Sequence, residues 1–332
     1  MKRLLSLILA LFLTVLPLFS CTQEPVEAGY FTRTKRDGNG RFSVSLWKAD
    51  KDGNPVTEAE LENIFDEAYK VFTDAYEFLD NGAGSKLSAI NAKVETVLDV
   101  DKKLISEIKY ASDLSEKCDG LYDAFGGTLT SLLEKKKNPT KEELGEALSH
   151  TGADKFEFSK TSVKKSDTEA MIDMGALCDG YALDAACDFL DDCISAFGTV
   201  TFNGIAGVFG KKGEGETFSV EIGNGEDGVF NIKNGYVALV SADFGKACDF
   251  KDGVIDTDVQ HIAVYASDAR VAAVIASVGY ANGSGSVTAL YGRDGLSFEA
   301  VILKEDGKEV YTKNAKSNEL YTPITTTVEE EK

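Results

Sequence analysis

Histidine is nearly missing from this 332-residue chain, which carries only His150 and His261. Two imidazoles cannot build a histidine-rich metal centre, so that chemistry is excluded. Positive charge is scarce as well: 35 lysines and arginines face 55 aspartates and glutamates, for a net charge of −20. Such a chain is repelled by phosphate backbones, which argues against a nucleic-acid partner. Anionic lipid would not attract it either. No internal repeat, coiled coil or Gly-rich phosphate loop of the Walker or dinucleotide type is present. The cysteines beyond Cys21 (Cys118, Cys178, Cys187, Cys193 and Cys248) are odd in number and match no zinc spacing. They read as small buried hydrophobes, with disulfides as the alternative in an extracytoplasmic protein.

What is present begins with a targeting signal. Lys2 and Arg3 precede an apolar run from Leu4 to Phe19, the layout of a secretory leader. The run ends in Leu18-Phe19-Ser20-Cys21, which resembles a bacterial lipobox with Cys21 as the acylated residue. An uncleaved membrane anchor is the alternative, since about 20 apolar residues can span a bilayer. The expected organisation is a signal over 1–20, a tether over 21–39, one folded unit over 40–312 and a flexible tail over 313–332. Loss of Lys2 and Arg3 with the leader takes the net charge to −22. The hydrophobic fraction of 43% is that of an ordinary globule, long enough to bury a large core.

Periodicity divides the folded unit. Arg41 to Leu46 alternates as a strand, and Thr57 with Glu60 forms a capping box before Leu61, Ile64, Phe65, Ala68, Phe72, Ala75 and Leu79. Helices are also expected over Asp101–Cys118, from Thr140, over Gly180–Cys193 and over Asp268–Val278. From Thr199 onward the pattern is strands and turns. Asn234-Gly235 lies between two apolar runs, the strongest short hairpin signal. Asp294-Gly295 and Asp306-Gly307 punctuate a three-stranded meander. Helices gathered early and strands late give an α+β fold: N-terminal helices packed on antiparallel or mixed sheets, with a C-terminal β-meander.

Four stretches, in order, resemble the FAD:protein FMN transferase family. They are Ser85-Lys86-Leu87-Ser88-Ala89-Ile90-Asn91, Asp119-Gly120-Leu121-Tyr122-Asp123, Asp173-Met174-Gly175 through Asp179-Gly180 to Asp184, and Ala266 to Ser277. The resemblance implies an extracytoplasmic protein, lipid-anchored through Cys21, that uses FAD and Mg2+. The family transfers FMN from FAD to a threonine of an acceptor protein and releases AMP; some members hydrolyse FAD instead. Attack on phosphorus needs a metal, a base and cationic or backbone donors around the phosphates. By the same resemblance Ser85, Ser88, Asn91, Asp119, Gly120, Asp123, Asp173, Gly175, Asp179, Gly180 and Asp184 stand at cofactor-binding positions, and Ser277 at a metal-ligand position. Turn and cap residues are the alternative reading for these types.

The departures from the family pattern are chemical. Asp179 replaces a lysine, Asn203-Gly204-Ile205 replaces a Gly-Gly-Asp segment, and Ala273 replaces the metal-binding aspartate. The histidine-bearing loop gives way to Asp252 to Asp258, and His261 lies at the start of a strand. Three readings follow. An enzyme with a rearranged site would gather Asp179, Asp243, Asp256 and Asp258 beside Ser88 and Asp123. A binding module would keep an open, partly apolar pocket. A structural paralogue would close it with Phe202, Phe244 or Phe250. If Cys21 carries the lipid, Cys21→Ser moves the protein from the detergent to the aqueous phase on Triton X-114 partition; unchanged partition contradicts the lipobox reading.

Overall fold

The longest helix shows how local sequence seeds this structure. In the computed structural model, which describes residues 29–92, 96–222, 228–242, 247–255, 257–317 and 320–323, helix α1 runs Glu58–Leu79. The Thr57 hydroxyl accepts the Glu60 N–H at 3.3 Å, and the Glu60 carboxylate accepts the Thr57 N–H at 2.9 Å. This reciprocal cap satisfies two donors that a helix start would otherwise leave open. Leu61, Ile64, Phe65, Ala68, Phe72, Tyr76 and Leu79 then bury one face. Short helix α2 (Lys86–Asn91) follows, then α3 (Lys102–Lys117), α4 (Gly127–Lys135), α5 (Lys141–Ser149), α6 (Ala176–Asp191), α7 (Ala269–Asn282), α8 (Ser284–Leu290) and α9 (Lys313–Ser317).

The strands are β1 (Tyr30–Arg36), β2 (Arg41–Trp47), β3 (Phe156–Phe158), β4 (Val163–Lys165), β5 (Phe197–Phe202), β6 (Ile205–Gly210), β7 (Phe218–Ile222), β8 (Gly228–Ile232), β9 (Gly235–Ser241), β10 (Val259–Ala266), β11 (Glu299–Lys304), β12 (Glu309–Tyr311) and β13 (Tyr321–Pro323). One eight-stranded antiparallel sheet runs β1-β2-β5-β6-β9-β10-β11-β12, and a smaller sheet runs β13-β8-β7. Strand alternation sorts side chains to two cores. Tyr236, Ala238, Val240, Ile262, Val264 and Ala266 join α1, α6 and α7 in the main core. Val237, Ala263 and Val301 face the other way and meet Phe218, Ile222, Phe230, Ile232 and Tyr321 of the small sheet. The result is three layers: helices, large sheet, small sheet.

Three expectations are corrected. Asp294-Gly295 joins helix α8 to β11 rather than two strands, whereas Asp306-Gly307 does turn β11 into β12. Asn234-Gly235 does not turn a hairpin: β8 pairs with β7 and β13, whereas β9 pairs with β6 and β10. Gly235, at φ +85°, instead carries the chain from one sheet to the other. Helix α6 starts at Ala176 rather than Gly180, because Gly175 at φ +54° makes the turn into it. The sheet also begins at Tyr30, and α9 and β13 extend the folded unit past residue 312. Residues 1–20 and Cys21 lie outside the described residues, as do Asp243, Phe244, Asp256 and 324–332.

At the junction of α1 with β2 and β5, the Phe72 ring lies 4.7 Å from Phe42 and 4.5 Å from Phe202, and Phe72 is 1% exposed. Phe72→Ala leaves a cavity that helix and sheet cannot both close. It should cost about 3–5 kcal/mol in urea unfolding; a loss under about 1 kcal/mol would show that this junction is loosely packed.

Candidate functional site

A cavity of about 320 Å3 opens where the start of α6, the middle of α7, helix α4 and the segment 247–250 meet. Its apolar walls are Tyr122, Leu133, Ala176, Ala247, Cys248 and Phe250, and its polar groups are Thr130, Glu134, Asp173 and Ser277, with Gly175. The volume lies at the low end of the range for small-molecule sites, about 300–1,000 Å3. Asp173 is held on both oxygens: Oδ1 accepts the Gly175 N–H at 2.9 Å and Oδ2 accepts the Thr130 hydroxyl at 2.6 Å. The Tyr122 hydroxyl donates to the Met174 carbonyl at 3.1 Å, and burial raises its pKa well above the usual phenol value. Phe250 meets the Tyr122 ring edge-on at 6.5 Å. Cys248 packs with Leu129, Leu144 and Ala147 in a third small core, and burial pushes its thiol up to about 12.

Of the residues singled out by sequence, Asp173, Gly175 and Ser277 line this cavity. The others do structural work nearby. Ser85 caps α2 by accepting the Ser88 N–H at 2.9 Å, and the Ser88 hydroxyl donates to the Ser85 carbonyl at 2.8 Å. Asn91 clasps Ile172 from both sides, donating to its carbonyl at 2.9 Å and accepting its N–H at 2.8 Å. That clasp sets the path of the chain into Asp173. Asp119 and Gly120, at φ +54° and +71°, close the end of α3, and exposed Asp119 pairs with Arg293 at 2.5 Å. Gly180 does not face the cavity. A Cβ there would sit 2.6 Å from the Ala269 carbonyl oxygen, so the glycine serves the packing of α6 on α7.

The remaining carboxylates are also dispersed. Asp123 accepts the Phe125 N–H at 2.8 Å, and burial raises its pKa above the ordinary carboxylate value. Asp179 is 2% exposed within the first turn of α6, where the helix dipole favours an anion. Asp184 accepts the Tyr236 hydroxyl at 2.5 Å. It lines a separate, larger hollow of about 1220 Å3 at the C-terminal half of α6, which contains none of Asp173, Gly175 or Ser277. Asp258 accepts from Ser284 and pairs with Lys304 at 2.6 Å; the hydrogen bond from Lys304 leads in lowering its pKa to about 2. His261 is buried in β10, and Phe202 belongs to the core beside Phe72.

Five lining residues went unrecognised in the sequence: Thr130, Leu133, Glu134, Ala247 and Cys248. The first three share one face of α4 at helical spacing, a signal that marks a face but not what it faces. Tyr122 and Ala176 lie inside the matching stretches but were not singled out, and Phe250 was weighed only as a plug.

A model of the ApbE family matches residues 41–278, and the chain belongs to that family. No curated protein matches the sequence. Among solved structures, the apo form of the flavinyl transferase ApbE from Pseudomonas stutzeri is similar at 17% identity, with TM-score 0.72 over 89% of this chain and 98% of that one. The flavin transferase ApbE of Vibrio cholerae is similar at 16% identity and TM-score 0.73, over 87% of this chain and 99% of its own. The ApbE protein of Thermotoga maritima matches at 20% and 0.71, over 87% and 99%. At such identities these likenesses establish the shared fold.

The donor set among the described residues does not fit a magnesium ion of the kind the family resemblance implies. Among the described residues no three of His, Cys, Asp or Glu converge, whereas magnesium wants near-octahedral oxygen ligation. Ala273, at the metal-aspartate position, is a buried apolar residue of α7. No step is therefore derived through a metal.

Asp123 supplies a test of this electrostatic picture. Its folded pKa is raised, so its contribution to stability is full below the unfolded value and is lost as pH rises through the folded pKa. Asp123→Asn, which keeps the acceptor for the Phe125 N–H, should raise the melting temperature at pH 7 more than at pH 3. A larger gain at pH 3 would contradict burial as the dominant influence.

Proposed function

We propose that this chain is an extracytoplasmic, lipid-anchored ApbE-family protein that holds a flavin in the Asp173–Ser277 cavity without transferring FMN. The observation that carries the reading is an aromatic-walled cavity whose described lining contains no lysine, arginine or histidine. Transfer from FAD would require charge to be drawn from the pyrophosphate and a base for the incoming hydroxyl. Here the Asp173 carboxylate is engaged by Thr130 and by the Gly175 N–H. Tyr122 and Phe250 offer ring surfaces for a planar heterocycle, and Thr130, Ser277 and Asp173 supply an orienting polar edge. A protein acceptor belongs to the transfer reaction and drops out of this reading.

The family's own chemistry is the competing reading, and one experiment separates the two. Purified protein with flavins should show saturable changes in flavin fluorescence that are the same with magnesium or with EDTA. Incubation with FAD and magnesium should release no AMP. Magnesium-dependent AMP release would overturn the proposal in favour of a transferase or FAD hydrolase with a rearranged site.

A further inference from the structure

We propose that the larger hollow beside the C-terminal half of α6, with the open sheet face next to it, binds a neutral oligosaccharide. The site is separate from the Asp173–Ser277 cavity and does not rest on the flavin reading. On the outer face of the large sheet, Val208, Val237, Ala263 and Val301 are packed against the small sheet. The outward positions of β1, β2 and β5 instead form rows in register. Tyr30 pairs with Trp47 and meets it edge-on at 5.4 Å, and Trp47 stacks on Phe197 at 5.0 Å. Two rows of hydroxyls follow: Thr32, Ser45 and Thr199, then Thr34, Ser43 and Thr201. Threonine alone is what any solvent-facing strand favours. The aromatic row, and what stands at its end, make this a site.

Trp47 and Phe197 also line the hollow, which has two polar rims. One is the face of α6 that carries Asp184, Asp188 and Asp191, at helical spacing. Asp184 accepts the Tyr236 hydroxyl at 2.5 Å, and Asp191 accepts the Gly210 N–H at 2.8 Å, so both are fixed before any ligand arrives. The other rim carries Lys211, Lys212 and Lys233, with Lys212 held by the Thr217 carbonyl at 3.2 Å and above the Phe218 ring at 4.8 Å. Ionised carboxylates only accept hydrogen bonds and ammonium groups only donate, whereas a sugar hydroxyl does both. A simple anion drawn to the lysines meets the α6 carboxylates, and a simple cation meets the reverse. An uncharged polyol is served by both rims. The apolar C–H face of a pyranose ring suits the electron-rich face of an aromatic side chain, and the hydroxyl rows continue the surface for a longer chain. Groups already held in place lower the ordering cost of binding.

Trp47 is the sole tryptophan of the chain, so its fluorescence reports on this site directly. The test is a titration of the whole chain with cellohexaose, chitohexaose and maltohexaose, in a detergent with neither sugar nor aromatic groups. At least one should shift Trp47 emission saturably with a Kd of about 1 mM or tighter. The matching disaccharide, too short to reach the hydroxyl rows, should bind about fivefold more weakly, the worth of about one hydrogen bond. Asp188→Ala, at an exposed position of α6, should weaken binding by a similar factor, about fivefold, with the urea midpoint unchanged. Followed by calorimetry, Trp47→Leu should abolish binding and Trp47→Tyr should restore most of it. No response to any of the three hexasaccharides overturns the proposal, as does a response to zwitterionic tetra-alanine in their place. Binding that survives both Asp188→Ala and Trp47→Leu lies elsewhere on the protein and overturns the site. Should Trp47→Leu fail to fold, Asp188→Ala decides alone.

Discussion

Helices α6 and α7 can lie against one another only because Gly180 has no side chain. A Cβ at that position would sit 2.6 Å from the carbonyl oxygen of Ala269 and 2.8 Å from the Cα of Arg270, far inside van der Waals contact. The facing residues of α7 are small and buried, Ala269, Ala272, Ala273 and Ala276 among them. Close-packed interiors tolerate little added volume, so this crossing fixes both helices in register. The start of α6 and Ser277 of α7 are thereby brought to the same cavity. The same crossing is held from α3. Arg270 bonds Glu107 at 3.1 Å and Asp268 at 2.9 Å, and the Tyr110 hydroxyl donates to Asp268 at 3.0 Å.

On that frame the polar residues divide into two kinds. Asn91, Ser85, Asp119 and Gly120 shape the backbone that delivers Tyr122 and Asp173 to the cavity. Asp173, Thr130 and Ser277 meet the space itself. Two carboxylates stand near the start of α6: Asp173 accepts the N–H of Gly175 just before the helix, and Asp179 lies within its first turn. An anion in the first turn of a helix is favoured by the helix dipole.

Much of the architecture was legible in the sequence because its determinants are local. The Thr57–Glu60 and Thr140–Glu143 boxes, the Asp101 and Asp268 caps and the face of α1 are all readable as periodicity and capping. Asn234-Gly235 misled because the turn chemistry is right while the partner strands are chosen by sheet packing, which is tertiary. The site was harder for the same reason. Matching motifs drew attention to Ser85, Asn91 and Gly180, whose roles are capping, clasping and helix packing. Thr130, Glu134 and Cys248 belong to segments without a motif, and only the folding of α4 and of the 247–250 segment onto α6 brings them together.

The central claim, a flavin ring held without metal-assisted chemistry on a pyrophosphate, is met most directly by a crystal structure of the chain soaked with riboflavin, and in parallel with FAD and magnesium. The account predicts density for the riboflavin ring system against Phe250 in this cavity, with its polar edge toward Thr130, Asp173 and Ser277. It predicts no ordered pyrophosphate from FAD. An FAD molecule with its pyrophosphate fixed on a bound magnesium ion at this cavity would contradict it.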